Sequence, residues 1–352
     1  MQSYFLGFTS VHFLIKDSKM KKLFEPQAEP LEPIETILRT PESRFENLKD
    51  YPFRPNYVFS ESHGKIRIHY VDEGSATRGT VLLMHGEPSW SYLYRHMIPP
   101  LVAAGFRVCA PDLVGFGRSD KPAKREHYSY ERMVDWMSDF LVQAKLFNVT
   151  MFAQDWGGLI GLRLVSRFPE RFRGVVISNT ALPVGGKGLN QTFEKWASEI
   201  SQQIPDWRPL IQFSTNRELD DDELKAYAAP FPSEKYKAAS RVLPQLVPMY
   251  DAHSSVEENK GAWRRVFRRW KRPFLTLFSD SDPVSRGGEV VWQKNVPGAR
   301  LQKHRIISGG HFVQEDCPDV LVSEIIKLVD GYCTVTGVTS PITTTTIVAT
   351  AQ

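Results

Sequence analysis

Cysteine is scarce in this sequence, and its positive and negative charges nearly balance. Only Cys109, Cys317 and Cys333 occur among the 352 residues, and no C-x-x-C pair exists. A disulfide scaffold is therefore excluded, and a reducing, cytoplasmic compartment is the simplest expectation. Lys and Arg number 44 against 40 Asp and Glu, so the net charge of +4 gives no reason to expect a nucleic-acid partner.

Long apolar runs are also lacking, since no stretch reaches 18 consecutive apolar residues. No membrane span or membrane partner is therefore expected. Hydrophobic residues make up 41% of the chain and charged residues 24%, which is enough to bury a sizeable core. This composition excludes a disordered chain and a collagen-like chain.

The two ends of the chain differ from its middle. Residues 1–24 show no clear pattern, and the apolar segment Tyr4–Ile15 lacks the basic flank and the cleavage site of a signal peptide. We interpret residues 1–24 as a disordered extension, with Met20 as an alternative start and a signal peptide as the competing interpretation. Residues 334–352 are rich in Thr, Val and Ala and are predicted to form a disordered tail.

Short apolar runs alternate with amphipathic segments through the middle of the chain. The runs are typical of strands that are buried on both faces, and they comprise Thr80–Met84, Phe106–Ala110, Val149–Ala153, Gly174–Ser178, Phe274–Ser279 and Leu301–Ile307. Helical patterns lie between them, at Glu131–Lys145 and Gly158–Phe168. This alternation predicts a mostly parallel central sheet with helices on both faces.

Nearly a hundred residues without a clear strand separate Gly174–Ser178 from Phe274–Ser279, and they are rich in aromatic residues. A segment this long is too long for one loop. We interpret residues 183–255 as a helical cap that divides the core into residues 25–182 and 256–333. The alternative is a helical insertion with no part in binding.

A basic run at Arg264–Arg272 contains apolar residues at helical spacing, namely Trp263, Val266, Phe267 and Trp270. This spacing predicts an amphipathic helix whose basic side is solvated. A patch for nucleic acid or an anionic membrane is the alternative, which the near-neutral chain does not favour.

The sharpest feature is the sequence Ala153-Gln154-Asp155-Trp156-Gly157-Gly158, in which a buried strand turns into a helix. This is the pattern of a nucleophile elbow, where a tight turn presents one side chain above the sheet edge. The usual occupant is the serine of G-x-S-x-G, a motif that this chain lacks. Here the position is Asp155, for which the alternative role is simply to cap the helix.

Other polar residues follow the predicted strands in a fixed order. His85-Gly86-Glu87-Pro88 follows the first strand and could direct the Glu87 N–H at the elbow, to form an oxyanion hole with the Trp156 N–H. Asp280 and Asp282 follow Phe274–Ser279, and His311 follows the last strand. Nucleophile, acid and histidine thus occur in the order that α/β-hydrolases use. Each residue alone has an ordinary structural explanation, but the ordered set argues against coincidence.

The segments His85–Arg95 (HGEPSWSYLYR) and Gln154–Gly158 (QDWGG) resemble the haloalkane dehalogenases, in the branch with a His-Gly-Glu-Pro motif. The resemblance covers about residues 45–330. It implies the α/β-hydrolase fold with an inserted helical cap, Asp155 as nucleophile, His311 as base and an acid after the penultimate strand. Asp282 fits that acid better than Asp280 because it directly precedes Pro283. Another branch places its acid where this chain has Asn179, which cannot serve as one.

The resemblance also implies two indole N–H donors that bind the departing halide. Trp156 matches the first donor, and Trp196 in the pattern Phe193-x-x-Trp196 matches the second. Phe193 is then expected to line the substrate pocket. Trp207 is the competitor for the second donor, and a plain structural role in the cap is the alternative for both cap tryptophans.

The expected reaction is hydrolysis of a haloalkane to an alcohol, a halide and a proton, through an alkyl ester on Asp155. The expected partners are the small haloalkane, water and the halide product, and the expected assembly is a monomer or weak homodimer. No cofactor is expected, and the nine histidines show no H-E-x-x-H metal motif.

Three other functions fit parts of this pattern. An epoxide hydrolase would use the same triad and needs acidic tyrosines in the cap, for which Tyr227, Tyr236 and Tyr250 are candidates. A fluoroacetate-type dehalogenase would need an arginine beside the nucleophile, where Trp156 and Gly157 stand. A non-enzymatic ligand-binding module would bind in the pocket without turnover, which the complete triad disfavours.

Overall fold

A computed structural model of the chain describes residues 33–186, 191–202 and 206–336. The predicted extension at 1–24 and residues 337–352 of the predicted tail lie outside these ranges. The last described helix ends at Thr336 and so includes the first three residues of the predicted tail.

Ten strands occur within the described ranges: β1 (Ile37–Leu38), β2 (Asn56–Ser60), β3 (Ile66–Glu73), β4 (Thr80–Met84), β5 (Arg107–Pro111), β6 (Lys121–Pro122), β7 (Val149–Gln154), β8 (Phe172–Ser178), β9 (Phe274–Ser279) and β10 (Arg305–Ile307). The same ranges contain eleven α-helices: α1 (Ile98–Ala103), α2 (Tyr130–Gln143), α3 (Asp155–Arg167), α4 (Gln191–Gln202), α5 (Trp207–Phe213), α6 (Asp221–Ala228), α7 (Ala238–Val242), α8 (Val256–Arg265), α9 (Glu289–Asn295), α10 (Val313–Asp316) and α11 (Pro318–Thr336).

Eight of the strands form one sheet in the order β10-β9-β8-β7-β4-β5-β3-β2. The six strands from β10 to β5 run parallel, and β3 and β2 extend the sheet antiparallel at one edge. Every residue of β4, β7 and β9 is buried, because helices cover both faces of this parallel part. The predicted fold class, a mostly parallel sheet flanked by helices, is confirmed.

The register brings the predicted site residues to one edge of the sheet. Met84 pairs with Ala153, Gln154 with Ser178, and Ile307 with Ser279, so the carboxyl ends of these strands are level. The segments that follow them carry the polar residues of the predicted site. Crevices at the carboxyl ends of parallel strands are the usual binding sites of such sheets.

The sheet differs from the prediction at one strand and contains one hairpin that the sequence did not predict. The last strand covers only Arg305–Ile307, because the chain is still turning after the short 3₁₀ helix Pro297–Ala299, and Leu301 is 92% exposed there. The hairpin of β2 and β3 was not predicted. Its strand β3 alternates buried and half-buried residues and so contains no continuous apolar run.

The long segment between β8 and β9 contains helices joined by turns and loops where it is described. Helices α4 to α7 lie within the predicted cap, and α8 begins directly after its predicted end. Helix α8 packs on the core, where the Arg163 guanidinium of α3 donates to Asn259 Oδ1 at 3.1 Å. The cap boundaries at 183–255 remain our proposal.

The basic run is less helical than predicted. Helix α8 ends at Arg265 and a 3₁₀ turn, Phe267–Arg269, follows it, so no single helix spans Arg264–Arg272. Phe267 and Trp270 are nevertheless buried while the neighbouring basic residues are exposed, as the pattern indicated.

Within the described ranges, none of the helices combines the length and the apolar character needed to cross a lipid bilayer.

Candidate active site

Asp155 stands at the tip of a strained turn between β7 and α3. Its φ of +51° lies in the left-handed region, which residues other than glycine rarely adopt. Its N–H donates to the carbonyl of Asn179 at 3.1 Å, which ties the turn to the end of β8. Gly157 allows the helix to start this close to the sheet, since a Cβ there would lie 2.1 Å from the Met84 carbonyl oxygen. The turn therefore holds the Asp155 carboxylate above the sheet edge.

The Asp155 carboxylate bonds to the segment that follows β4. Its Oδ1 accepts a hydrogen bond of 2.8 Å from the Glu87 N–H. His85 shapes this segment, because its Nε2 accepts from the Leu113 N–H at 2.9 Å and its Nδ1 contacts the Gly86 carbonyl at 2.9 Å. Trp156 is the second residue of α3, where backbone N–H groups have no partner within the helix. The Glu87 N–H thus faces the carboxylate of Asp155, and the oxyanion hole that it would form with the Trp156 N–H stays a prediction.

His311 lies between two carboxylates. Its Nε2 is 3.7 Å from Asp155 Oδ2, and its Nδ1 is 3.2 Å from Asp282 Oδ1. Burial alone would lower the pKa of His311, but the charges of Asp282 and Asp155 raise it to about 10. The two carboxylates therefore favour the protonated ring in the resting enzyme.

Asp282 is fully buried and faces only hydrogen-bond donors. Burial alone would raise its pKa, but the charge of His311 and bonds from His311, Ser285 and Val284 lower the pKa to about 2. Asp280 instead bonds to Ser281 and to the Gly309 N–H. The geometry therefore favours Asp282 over Asp280 as the partner of His311.

Two amide side chains at this site were not predicted to contact the histidine. Asn179, considered only as a replaced acid, donates to the His311 carbonyl at 3.0 Å and to Ser279 Oγ at 2.8 Å. Gln154 places its Nε2 at 2.9 Å from His311 Nε2 and 3.2 Å from the His311 carbonyl oxygen. The only signal for Gln154 in the sequence is its place directly before the elbow.

A cavity of about 330 Å³ opens over Asp155. Most of its described surface is apolar, and the lining residues are Glu87, Pro88, Asp155, Phe193, Leu210, Phe213, Ser214, Asn216, Ser281, Asp282, Pro283, Val284, Gly310 and His311. Phe193 lines this cavity, and its role in binding substrate stays a prediction. Helices α4 and α5 supply part of this wall. Such a lining suits a hydrocarbon chain with one polar reactive end.

The predicted halide donors are described only in part. Trp156 is 3% exposed, and its ring meets Tyr130 edge-on at 5.4 Å. Trp196 lies within α4 and Trp207 opens α5, but the side chains of both tryptophans fall outside the described part. The assignment of Trp156 and Trp196 as halide donors stays a prediction.

The tyrosines that an epoxide hydrolase would need are engaged elsewhere. Tyr227 is buried and donates to Glu315, and Tyr250 donates to Glu194 Oε1 at 3.0 Å. Among the described residues that line the cavity there is no tyrosine, so Tyr236 does not line it either. The described wall therefore offers no phenol to protonate an alkoxide leaving group.

His96, Glu223 and Glu315 form a cluster of metal-ligating side chains away from the cavity. Arg95 donates to Glu315 and, at 2.8 Å, to Glu223. Arg217 donates to the same two carboxylates. The two guanidinium groups already balance the carboxylates, so this cluster is a salt-bridge network and a poor site for a cation.

Comparison with known proteins identifies the relatives of this chain. The α/β hydrolase fold family matches residues 79–318. The chain is 49% identical over 298 residues to a haloalkane dehalogenase of Psychrobacter cryohalolentis, covering 83% of this chain and 98% of the relative. It is 43% identical over 295 residues to a haloalkane dehalogenase of Mycolicibacterium paratuberculosis, covering 83% of this chain and 97% of that relative.

A solved structure agrees with these relatives. The tetrameric haloalkane dehalogenase DpaA of Paraglaciecola agarilytica superposes with a TM-score of 0.76 at 30% identity, covering 85% of this chain and 98% of that chain. The haloalkane dehalogenase DbeA of Bradyrhizobium elkani, with a TM-score of 0.68 at 21% identity over 80% of this chain and 99% of its own, shares the fold.

Proposed function

Because the chain belongs to the haloalkane dehalogenases of the α/β hydrolase fold, we propose that Asp155, His311 and Asp282 carry out its hydrolysis of carbon–halogen bonds. The observation that carries this assignment is the position of His311 between the two carboxylates, at 3.7 Å and 3.2 Å. The substrate is a small haloalkane, and the co-substrate is water.

In the first step Asp155 attacks the carbon that bears the halogen and forms an alkyl ester. Because the Glu87 N–H holds Oδ1, the attacking oxygen is Oδ2. The carbon–halogen electron pair leaves with the halide, which is such a weak base that no general acid is needed. The N–H groups of Trp156 and Trp196 are proposed to stabilise the departing halide.

In the second step water attacks the ester carbonyl and gives its proton to His311 Nε2. Oδ1 becomes the oxyanion and keeps its hydrogen bond from Glu87, to which the Trp156 N–H is added. Collapse expels the alkoxide, which takes the proton from His311 and leaves as the alcohol. The remaining carboxylic acid of Asp155 releases one proton, so a haloalkane and water give an alcohol, a halide and a proton.

Asp282 orients His311 and stabilises its protonated form. The residues 183–255 are proposed to act as the cap, since Phe193, Leu210 and Phe213 of this segment line the cavity. We also propose a monomer or weak homodimer in a cytoplasmic setting, although one solved relative is tetrameric. Light scattering across a concentration series tests the assembly.

The experiment for the site is to trap the ester. His311→Gln exposed to a bromoalkane should release about one halide per active site, and its intact mass should rise by the alkyl group. Peptide mapping should place that group on Asp155. Asp155→Asn is the matched control, which should release no halide and gain no mass once deamidation has been excluded by mass. An adduct on another residue would refute the assignment.

A substrate panel separates the epoxide alternative. Wild-type protein should release halide from bromoalkanes and leave epoxides unconverted. Diol formation from epoxides without halide release would reverse the proposal.

A further inference from the structure

The side-chain amide of Gln154 is fully buried and bonds to two atoms of His311. Gln154 is the last residue of β7, directly before Asp155. Its Nε2 lies 3.2 Å from the His311 carbonyl oxygen, which can only accept hydrogen bonds. The NH₂ end of the amide must therefore face this carbonyl, and this fixes which way the amide points.

The second hydrogen of the same NH₂ group faces the imidazole. Gln154 Nε2 lies 2.9 Å from His311 Nε2, and both cannot be donors. The imidazole nitrogen must then supply its lone pair, which leaves the ring proton of the neutral histidine on Nδ1. That nitrogen faces Asp282 at 3.2 Å.

The charged neighbours of His311 act in the opposite direction. Asp155 faces Nε2 from α3 and Asp282 faces Nδ1 from the loop after β9, and together they favour a protonated ring. The third titratable group, Glu87 from the segment after β4, is buried, and burial raises its pKa well above the usual range. Burial therefore favours the neutral form of Glu87.

Formation of the alkyl ester changes this balance. Asp155 then carries no charge, so His311 loses one of the two negative charges that stabilise its protonated form. The hydrogen bond from the Gln154 amide remains. We propose that Gln154 is a positioning residue that holds His311 Nε2 as a hydrogen-bond acceptor in the alkyl-enzyme, ready to take the proton from water. Water replaces the amide at Nε2 while the bond to the His311 carbonyl keeps Gln154 in place. This inference rests on the proposed function of His311.

The test uses two variants of nearly equal size. Gln154→Met removes the donor, and Gln154→Glu replaces it with a carboxylate that accepts from a protonated Nε2. The measured quantity is the rate of ester hydrolysis against pH, followed by quenched-flow mass spectrometry after rapid alkylation. The acidic limb of this pH profile should move to higher pH in the order wild type, Met, Glu. If the acidic limb moves up by one pH unit, the rate of hydrolysis at any pH on that limb falls about tenfold.

The halide burst separates this inference from the proposed function. Both variants should keep the burst of halide, because the first step does not use His311. A missing burst and adduct in His311→Gln would overturn the proposed function itself. A normal burst with an unmoved limb in both Gln154 variants would overturn only the role of Gln154.

Asn179→Ser is the matched control for position, because Asn179 donates to the same carbonyl but makes no bond to the ring. It should slow hydrolysis without moving the limb, and a limb that moved as far as in Gln154→Met would show a merely structural effect.

A measurement on the wild type does not depend on how the variants fold. Nitrogen-15 spectra of the histidine ring, recorded above its titration, should show the proton on Nδ1. A proton on Nε2 would overturn the inference.

Discussion

Gly86 and Asp155 are packed so closely that a Cβ on Gly86 would lie 2.3 Å from Asp155 Oδ1. The backbone at Gly86 therefore forms one wall of the nucleophile's position. The neighbouring Glu87 N–H holds the same oxygen at 2.8 Å. Position 86 has to be glycine so that this segment can approach the carboxylate.

We expect Gly86→Ala to remove most of the activity while the protein still folds. The added methyl group must displace the carboxylate, and a displacement of about 1 Å in a reacting group can cost about 100-fold in rate. Steady-state halide release measures the loss. Gly331→Ala is the matched control, because a Cβ there meets no atom within 4 Å and the residue lies in α11. Equal activity in the two variants would show that position 86 tolerates a side chain.

The Asp282 and His311 pair should make stability depend on pH. The folded-state pKa of His311, about 10, lies above its usual 6.5, so its contribution is complete below pH 6.5 and is lost as the pH rises through 10. The pKa of Asp282, about 2, lies below its usual 3.8, so its contribution is present above pH 3.8 and is lost as the pH falls through 2.

Asp282→Asn should therefore lower the Tm near pH 6.5 and flatten its fall between pH 6.5 and pH 10. Ester hydrolysis should slow by about 10² to 10⁴, the usual contribution of a positioned general base. Thermal unfolding at several pH values, with the wild type alongside, measures the first effect. Parallel Tm curves for the two proteins would contradict it.

The three proposed catalytic residues could be predicted because each follows a strand of the sheet, although only β7 and β9 are fully buried and β10, before His311, is mostly exposed. Asp155, Asp282 and His311 combine a chemically distinctive side chain with a strand end, and strand ends were readable from the sequence. Gln154 and Asn179 escaped prediction as partners of His311. Amide side chains have many uses, and only the register of β7, β8 and β10 shows which atoms they reach.

The fold was predictable where burial is two-sided and not where it is one-sided. The central strands are continuous apolar runs, whereas β3 alternates and carries Arg67 and His69 among its apolar residues. The last strand was predicted too long because the sequence pattern places Leu301 in a buried apolar run, whereas this residue is exposed in the structure. An apolar residue alone does not show that its position is buried.

Glu315 joins the predicted cap to the core through a buried salt-bridge network. It accepts from Arg95 and Tyr227, and burial would raise its pKa if the charge of Arg95 did not lower it. Glu315→Gln leaves the buried Arg95 with Glu223 as its remaining carboxylate partner. Breaking a buried ion pair by removing one partner lowers the free energy of unfolding by about 3–5 kcal/mol. The free energy of unfolding in urea measures this loss.

Glu199→Gln is the matched control for Glu315→Gln, since Glu199 pairs with Lys195 at the surface of α4. The loss there should stay below about 1 kcal/mol. Similar losses in the two variants would argue against a special role for the buried network.

The second halide donor can be identified by removing one N–H at a time. Phe193 of α4 and Leu210 of α5 both line the cavity. Trp196 stands three residues after Phe193, and Trp207 stands three residues before Leu210, so helix periodicity admits either tryptophan on the cavity side. The family pattern Phe193-x-x-Trp196 favours Trp196. We therefore expect Trp196→Phe to weaken both halide binding and the carbon–halogen step.

Phenylalanine keeps most of the bulk of tryptophan but cannot donate a hydrogen bond. Loss of one donor to a developing anion costs about 2.7–4 kcal/mol of transition-state stabilisation, which corresponds to about 10²- to 10³-fold in rate. Single-turnover halide release and bromide titration of the tryptophan fluorescence measure the two effects. Trp207→Phe should change neither. An effect in Trp207→Phe with none in Trp196→Phe would assign the second donor to Trp207 of α5, because only the loss of the true donor weakens halide binding.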